Sequence, residues 1–360
     1  MEIAVLGGGN GAYAAAADLS EKGHRIRLWR RNQQEFKPVL EKQALILKDY
    51  RGTRLVRLAL ATGDLGQAVD GAQVILIPLP AFSQTDLAKE LVPLVRDEQV
   101  ILLTPGTFGS FVMAQEMRKA GCTAKLIFGE TGTLPYLARK HGPDTIAITT
   151  RATRLPTGIF PGEETSPAFA IIKEVFPAAE PLRDVLDAAL MNAGPIIHPP
   201  LILLNSAPIE YFDRWDIHNE GTQPSVRKIH DALDQERIAT REILGYMGPH
   251  FPLSDHYCSR GDEWMYGNAA HEKLVDSTDW REKLDLYHHR YMQEDIGYGL
   301  AFLVSVAEWA GIPVPLANGL LSIASVITGT DFRNQGRTWG NLGLSPYSKE
   351  EFADLMKRGI

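Results

Sequence analysis

The sequence has little cysteine, no long apolar run and no excess of positive charge, and each absence excludes a class of protein. Its 360 residues include only two cysteines, Cys122 and Cys258, in no pair with metal-ligand spacing, so no disulfide framework is expected. No stretch reaches 18 uninterrupted apolar residues, which predicts that no segment spans a membrane. A net charge of -7 argues against nonspecific binding to nucleic acid, which needs a basic field.

Targeting and metal signatures are missing as well. The apolar run at the N-terminus covers residues 3–6 and is followed at once by glycines, which does not fit a signal peptide, and we expect a cytoplasmic protein. There is no HExxH and no cluster of histidine and cysteine at ligand spacing, so no metal site is predicted. No GxSxG elbow for a serine nucleophile is present.

The first half of the chain alternates short apolar segments with helical patterns. Strands are predicted at residues 2–6, 24–29, 73–77, 99–103 and 125–129. Such alternation predicts an α/β fold with a Rossmann-like, doubly wound parallel sheet, which we assign to residues 1–180. Extended segments within 133–160 indicate an antiparallel extension, and a helix at 165–174 closes the domain.

The pattern becomes helical from residue 181. Helices are predicted at residues 182–193, 223–246, 288–310 and 313–327. We therefore expect residues 181–360 to form an all-helical C-terminal domain that carries the substrate and catalytic groups. Apolar character on more than one helix face favours a homodimer.

A glycine-rich turn follows the first strand and opens the first helix. Its sequence, GGGNGA, fits G-x-G-x-x-[G/A]. Gly7 permits the tight turn, Gly9 lets the backbone approach a pyrophosphate, and Ala12 keeps the helix close to the strand. Asn10 and Gly11 begin a helix whose free N–H groups attract phosphate. The strand–turn–helix–strand context predicts a dinucleotide cofactor.

Residues beyond three strand ends complete the predicted cofactor site. Arg30 and Arg31 follow the second strand, where NAD-preferring sites usually carry an acidic residue. Arginine binds a 2'-phosphate with paired hydrogen bonds, so these residues favour NADP(H), although solvated surface arginines are the alternative. Pro78 and Thr104 begin loops after later strands, at the edge where ligands bind, but turn chemistry explains them equally well.

Hydride transfer is the chemistry of such a cofactor, and the protein must then manage a proton. Histidine is the natural proton carrier near neutral pH. His198 lies in an apolar stretch of the helical half, IIHPPLI, whereas several other histidines lie in turns or surface segments. The residues alone fit either a catalytic histidine or a core histidine bonded to a carbonyl.

Several segments, in order, resemble the opine dehydrogenases of the octopine/nopaline type, nearest to the bacterial N-(1-D-carboxyethyl)-L-norvaline dehydrogenase kind. The segments are VLGGGNG at 5–11, GET at 129–131, His198-Pro with the LLN that ends at Asn205, TQPSV at 222–226, R-Y-x-x-E-D-x-x-x-G-L at 290–300 and T-D-F-R-x-x-G-R at 330–337. They extend over nearly the whole chain, and their order and spacing carry the resemblance.

The resemblance implies an activity and roles for three residues. Opine dehydrogenases join the α-amino group of an amino acid to a 2-oxo acid, often pyruvate, and reduce the imine with NAD(P)H. The motifs place the family's catalytic histidine and aspartate at His198 and Asp295, and its carboxylate-binding arginine at Arg290. Close relatives often carry aspartate where this chain has Arg30, which moves the expected cofactor toward NADP(H), with NAD(H) as the alternative.

Two other functions fit parts of the pattern. A reductase of the ketopantoate type would act on a 2-oxo acid without any amine, but no lysine that could serve as its acid lies near His198 in the sequence. A cofactor-binding sensor without turnover would have no use for a histidine, an aspartate and an arginine together.

Overall fold

The computed structural model describes residues 1–260 and 264–360. These residues divide into two compact units, one comprising Met1–Ala189 with Met356–Ile360 and the other comprising Leu190–Leu355. From the sequence we predicted a boundary between residues 180 and 181, which is earlier in the chain than the division after Ala189. The predicted boundary stays a proposal.

The first unit is an α/β unit. Its strands are β1 Glu2–Leu6, β2 Arg25–Trp29, β3 Ala44–Asp49, β4 Gly52–Arg57, β5 Leu60–Thr62, β6 Val74–Ile77, β7 Val100–Leu103, β8 Ile127–Thr131, β9 Tyr136–Lys140, β10 Thr145–Arg151, β11 Leu155–Phe160 and β12 Ala179–Pro181. Its helices are α1 Asn10–Glu21, α2 Gln33–Lys42, α3 Leu65–Val69, α4 Gln84–Leu91, α5 Gly109–Lys119, α6 Thr165–Val175 and α7 Val185–Ala189. Short 3-10 turns lie at Ala81–Ser83 and Gly162–Glu164.

The main sheet has the order β12-β11-β8-β7-β6-β1-β2-β5, and its pairs are parallel except β11 with β8. From β1 the chain moves one way to β2, and β6 then lies on the other side of β1. Ligands in such sheets bind at this switch point, beyond the carboxyl ends of the strands. The glycine turn follows β1 and therefore lies there, and buried side chains such as Val5, Leu28 and Leu102 form the core around it.

A second sheet, in the order β4-β3-β10-β9, packs on α1. Buried charges link the two. Arg151 of β10 bonds to Asp18 of α1 at 2.7 Å and to Asp49 of β3 at 2.8 Å. Tyr136 of β9 donates to Asp18 at 2.9 Å. Because each carboxylate in this network is nearly excluded from water, losing a partner would leave a charge uncompensated.

The structure corrects two details of the sequence prediction. The extended segments within 133–160 do pair antiparallel, but β9 and β10 belong to the second sheet, and only β11 extends the main one. The helix predicted at 182–193 is wrong in length, because only Val185–Ala189 is helical. Asp184 sets its start, since its side chain accepts the backbone N–H groups of Leu186 and Asp187 at 2.9 Å each.

The second unit is helical. Its helices are α8 Gly194–Leu204, α9 Ser206–Tyr211, α10 Pro224–Ile243, α11 Ala270–Asp276, a π-helix Tyr291–Leu300, α12 Ala301–Ala310, α13 Pro315–Thr328 and α14 Phe332–Gln335, with a 3-10 turn at Leu253–Tyr257. The last helix, α15 Lys349–Arg358, begins in this unit and ends in the first. Three of the four predicted helices in this half are present, and α8, which carries His198, was missed.

The π-helix packs closely against α8 because glycines line the contact. A Cβ atom on Gly299 would lie 2.3 Å from Cγ of Pro195, and one on Gly194 would lie 2.5 Å from Oδ1 of Asp295. Such distances are far inside van der Waals contact, so the two helices can approach only where the side chain is hydrogen. π-Helices are rare and occur mostly as short insertions, often at functional sites.

In the described parts of the chain, no helix is both long and apolar enough to cross a lipid bilayer. Within the same residues, no three histidine, cysteine or acidic side chains converge as they would around a metal ion.

Candidate cofactor and catalytic sites

The glycine turn has the geometry that a dinucleotide needs. Gly7 has φ +142°, a conformation that other residues rarely adopt, and a Cβ there would lie 3.0 Å from Cδ2 of Leu79. At Gly9 a Cβ would meet nothing within 4 Å, so the backbone is open on that side. The N-terminus of α1 has no side-chain cap, which leaves its N–H groups and dipole available to a pyrophosphate. Ala12 is fully buried and lets α1 lie close to β1.

The two later loops differ in their relation to this turn. Pro78, directly after β6, touches it, since a Cβ on Gly11 would lie 3.2 Å from the Pro78 ring. Thr104 is buried at the end of β7, the next strand outward, and is followed by a cis peptide bond to Pro105. Both residues lie at the carboxyl edge of the sheet, and only Pro78 borders the glycine turn.

Glu130, at the end of β8, organises the loop after β7. Its fully buried carboxylate accepts the backbone N–H of Phe108 at 2.7 Å and that of Ser110 at 3.0 Å. The Ser110 hydroxyl also donates to it at 2.5 Å. A carboxylate at this position stabilises the N-terminus of α5. Glu130 lies in the GET segment of the family resemblance, but its capping role could not be predicted from that motif.

The two arginines after β2 have different surroundings. Arg30 has a side chain only 13% exposed, pairs with Glu35 and lies against Gly8, where a Cβ would come within 2.3 Å of it. Arg31 is 65% exposed and pairs with Glu90 at 2.7 Å. Arg30 is therefore held at the glycine turn, whereas Arg31 is a surface residue that contacts α4.

His198 and Asp295 are brought together in the second unit, 97 residues apart in the sequence. Nδ1 of His198 lies 2.9 Å from Oδ2 of Asp295, and the two side chains are 19% and 9% exposed. An ionised Asp295 accepts a hydrogen bond from the Nδ1–H of His198, so the tautomer is fixed and Nε2 is left to exchange a proton. The core-histidine alternative predicted a carbonyl partner, and the structure gives a carboxylate.

Two aromatic side chains hold the ring of His198. Tyr291 stacks on it with centroids 3.8 Å apart and planes 17° from parallel, and His218 meets it edge-on at 5.8 Å. His218 in turn lies 3.4 Å from the Tyr291 hydroxyl and packs edge-on against Trp280. Neither Tyr291 nor His218 was predicted as a site residue from the sequence. The signal available for Tyr291 was its position one turn before Asp295.

Arg290 lies at the N-terminal end of the π-helix, five residues before Asp295. Its guanidinium bonds to Glu294 at 3.1 Å and remains half exposed. Desolvation acts to lower the pKa of Arg290, but the charges of Glu294 and Asp295 outweigh it and raise the pKa overall. A guanidinium has five N–H donors, so one partner leaves donors for a second carboxylate.

Both units match models of known protein families. Residues 2–118 match the model of the NAD-dependent glycerol-3-phosphate dehydrogenase N-terminus, and residues 181–328 match the NAD/NADP octopine/nopaline dehydrogenase alpha-helical domain. The chain is 29% identical to an opine dehydrogenase of Arthrobacter sp. (strain 1C), over 95% of each protein.

Solved structures show the same fold. A structure of octopine dehydrogenase with NADH and agmatine superposes with a TM-score of 0.71 at 17% identity, over 98% of this chain and 97% of that one. Yersinopine dehydrogenase with NADP+ bound gives a TM-score of 0.65 at 16% identity, over 99% and 98%.

A dinucleotide-binding α/β unit followed by this helical unit defines an NAD(P)-dependent oxidoreductase. Its helical unit matches the octopine/nopaline dehydrogenase alpha-helical domain, and the chain as a whole is similar to opine dehydrogenases. The resemblance seen in the sequence and the predicted fold class are thereby confirmed, and the members of this family act on CH–NH bonds.

Proposed function

We propose that this protein condenses the α-amino group of an L-amino acid with a 2-oxo acid such as pyruvate and reduces the resulting imine to a secondary amine dicarboxylate. The observation that carries the proposal is the 2.9 Å contact of His198 with Asp295 in a chain of this family. The cofactor, when bound, supplies the hydride to the imine carbon. The rest of the chemistry is proton transfer and carboxylate binding.

His198 is proposed as the general acid. When protonated, it can deliver a proton from Nε2 to the oxygen that leaves as water, or polarise the imine nitrogen as hydride arrives. Asp295 stabilises the positive charge of the ring and keeps its orientation. Stacking on Tyr291 restricts rotation of the ring, so the proton is held at one position.

Arg290 is proposed to bind the carboxylate of the 2-oxo acid. Guanidinium matches a planar carboxylate through two parallel hydrogen bonds. Its bond with Glu294 orients the side chain before substrate arrives, and half of the side chain is exposed for the second contact.

NADP(H) is proposed as the preferred cofactor, with NAD(H) as the weaker alternative. The residues fit a dinucleotide, because Gly9 is open and the N-terminus of α1 is uncapped. Arg30, held against Gly8, favours a 2'-phosphate over a free ribose hydroxyl. A homodimer and a cytoplasmic location also stay proposals, and light scattering on the purified protein tests the first of them.

The function is tested by NADPH oxidation with pyruvate, with and without a panel of L-amino acids. We expect oxidation to depend on an amino acid and to be lost in His198→Ala. A matched control is His288→Ala, since His288 is an exposed histidine of the same unit and should tolerate the change. Repeating the assay with NADH measures the cofactor preference.

The outcomes separate the alternatives. Equal rates without any amine would assign the protein to the oxo-acid reductases and overturn the proposal. If NADPH binds but no amine and oxo acid pair is turned over, a cofactor-binding sensor becomes the better description.

A further inference from the structure

A lysine that the sequence analysis did not select lies at the glycine turn. Lys140 ends β9 of the second sheet, and its Nζ donates to the carbonyl of Gly8 at 3.1 Å. Its backbone N–H donates to the side chain of Asn10 at 3.0 Å, and its ammonium lies 4.1 Å from the ring centroid of Tyr13. Backbone, amine and ring contacts therefore fix Lys140 beside the first residues of α1.

Lys140 shares this place with Arg30. Both approach Gly8 and Tyr13, because Arg30 lies against Gly8 and reaches the Tyr13 hydroxyl at 3.5 Å. Desolvation, and then the positive charge of Arg30, lower the pKa of Lys140. Two cations are thus held close together, and Glu35, which pairs with Arg30, supplies a single negative charge. An additional anion would relieve the repulsion between them.

We propose that Lys140 and Arg30 together bind the 2'-phosphate of the cofactor, and that Lys140 is a specificity-determining residue for NADP(H). The inference rests on the proposed function only for the cofactor class. The end of β2 is where the ribose 2' oxygen lies in this fold. Arginine can bind the phosphate through two hydrogen bonds, and lysine adds a compact positive charge. Glu35 is 63% exposed at its side chain and can turn toward solvent as the phosphate enters.

Lys140, and not Arg31, is then the partner of Arg30 at the 2'-phosphate. Arg31 is directed to Glu90 on α4 and lies 5.8 Å over the ring of Trp29. Lys140 comes from a strand more than a hundred residues further along the chain. The second sheet therefore contributes directly to the choice of cofactor.

Equilibrium binding measurements test the role of Lys140 at the 2'-phosphate without any turnover. Titration calorimetry on the full-length protein would compare adenosine 2',5'-bisphosphate with ADP, which has the pyrophosphate but no 2'-phosphate. We expect Lys140→Met to lower the affinity for the bisphosphate about 10- to 100-fold and to change the affinity for ADP less than about threefold. Lys140→Arg should restore most of the affinity. Lys37→Met, an exposed lysine on α2, is the matched control and should change neither ligand.

A variant of opposite sign guards against misfolding as the explanation. Glu35→Gln removes the carboxylate that competes with the phosphate for Arg30. We expect this variant to bind the bisphosphate about 3- to 10-fold more tightly. If Lys140→Met weakened the binding of both ligands equally, Lys140 would be assigned to the 5'-phosphate that both carry, and the proposal would be overturned. The proposal would also be overturned if Lys140→Met kept its affinity for the bisphosphate while Arg31→Met lost most of it. Because no amine or oxo acid is present, these results stand even if the proposed reaction fails.

Discussion

Asp295→Asn is the sharpest test of the catalytic pair, because it keeps the shape of the side chain and removes its charge. The 2.9 Å hydrogen bond to His198 joins side chains that are only 19% and 9% exposed, so solvent screens it weakly. A hydrogen bond to a charged group contributes about 1.5–3 kcal/mol. Each 1.36 kcal/mol is a tenfold change in rate, so we expect kcat to fall about 10- to 150-fold. If the new amide donates to Nδ1, it fixes the wrong tautomer and the loss approaches about 10⁴-fold.

The assay is steady-state NADPH oxidation with the preferred amino acid and pyruvate. Without the carboxylate the orientation of the His198 ring is no longer fixed, so the loss should appear in kcat. KM for pyruvate should change little, since Arg290 is proposed to hold that substrate. Asp331→Asn is a suitable control because it removes an exposed carboxylate of the same unit and keeps a capping oxygen on α14.

A double-mutant cycle decides whether the two residues act as one unit. If they do, the double variant of His198→Ala and Asp295→Ala should be no slower than His198→Ala alone. The reasoning would be refuted if the two losses add in free energy, or if the Asp295→Asn enzyme keeps an unchanged kcat. Asp295 would then have only a structural role.

Three further predictions concern residues that hold the site and the fold. Gly194→Ala places a methyl group 2.5 Å from Oδ1 of Asp295, the proposed partner of His198, so we expect kcat to fall at least about tenfold while the circular dichroism spectrum stays unchanged. Glu130→Gln weakens the charged cap of α5, and urea unfolding should show a loss of about 1–2 kcal/mol; an unchanged midpoint would contradict the capping role. Hydrogen bonds from Arg54, then Arg151, hold the pKa of Asp49 below its ordinary value of 3.8, so this carboxylate stabilises the folded state above about pH 4 and the contribution is lost as pH falls. Arg54→Met should therefore flatten the acid side of the stability profile, and an identical slope would argue against this source of stability.

Local patterns were enough to predict the cofactor turn. Residues 2–29 form strand, turn, helix and strand within one short segment, so their contacts are made between near neighbours. The glycine spacing and the arginine after β2 could both be interpreted without knowing the rest of the fold. The family resemblance then connected His198 with Asp295, which the residues alone could not do because nearly a hundred residues separate them.

The remaining features depend on pairing between distant segments. The second sheet joins β3 with β10, and each strand is too short and too ordinary in sequence to indicate its partner. Lys140 is therefore one lysine among many until the sheet places it at Gly8. The contact of Tyr291 with the ring of His198 is likewise a result of packing, and hydrophobic periodicity carries no information about it.

The π-helix makes the site sensitive to the number of residues in the chain as well as to their identity. In an α-helix, side chains five positions apart point about 140° away from each other around the axis. Hydrogen bonds to the fifth residue bring such positions to neighbouring places on successive turns, as with the bond from Ala301 to Ile296. Arg290 and Asp295 have this separation. Deleting one residue between Tyr291 and Leu300 would allow an ordinary helix with the same apolar content, and Arg290 would turn away from His198 and Asp295. The length of this segment in homologous sequences is therefore a simple indicator of which of them have kept the chemistry.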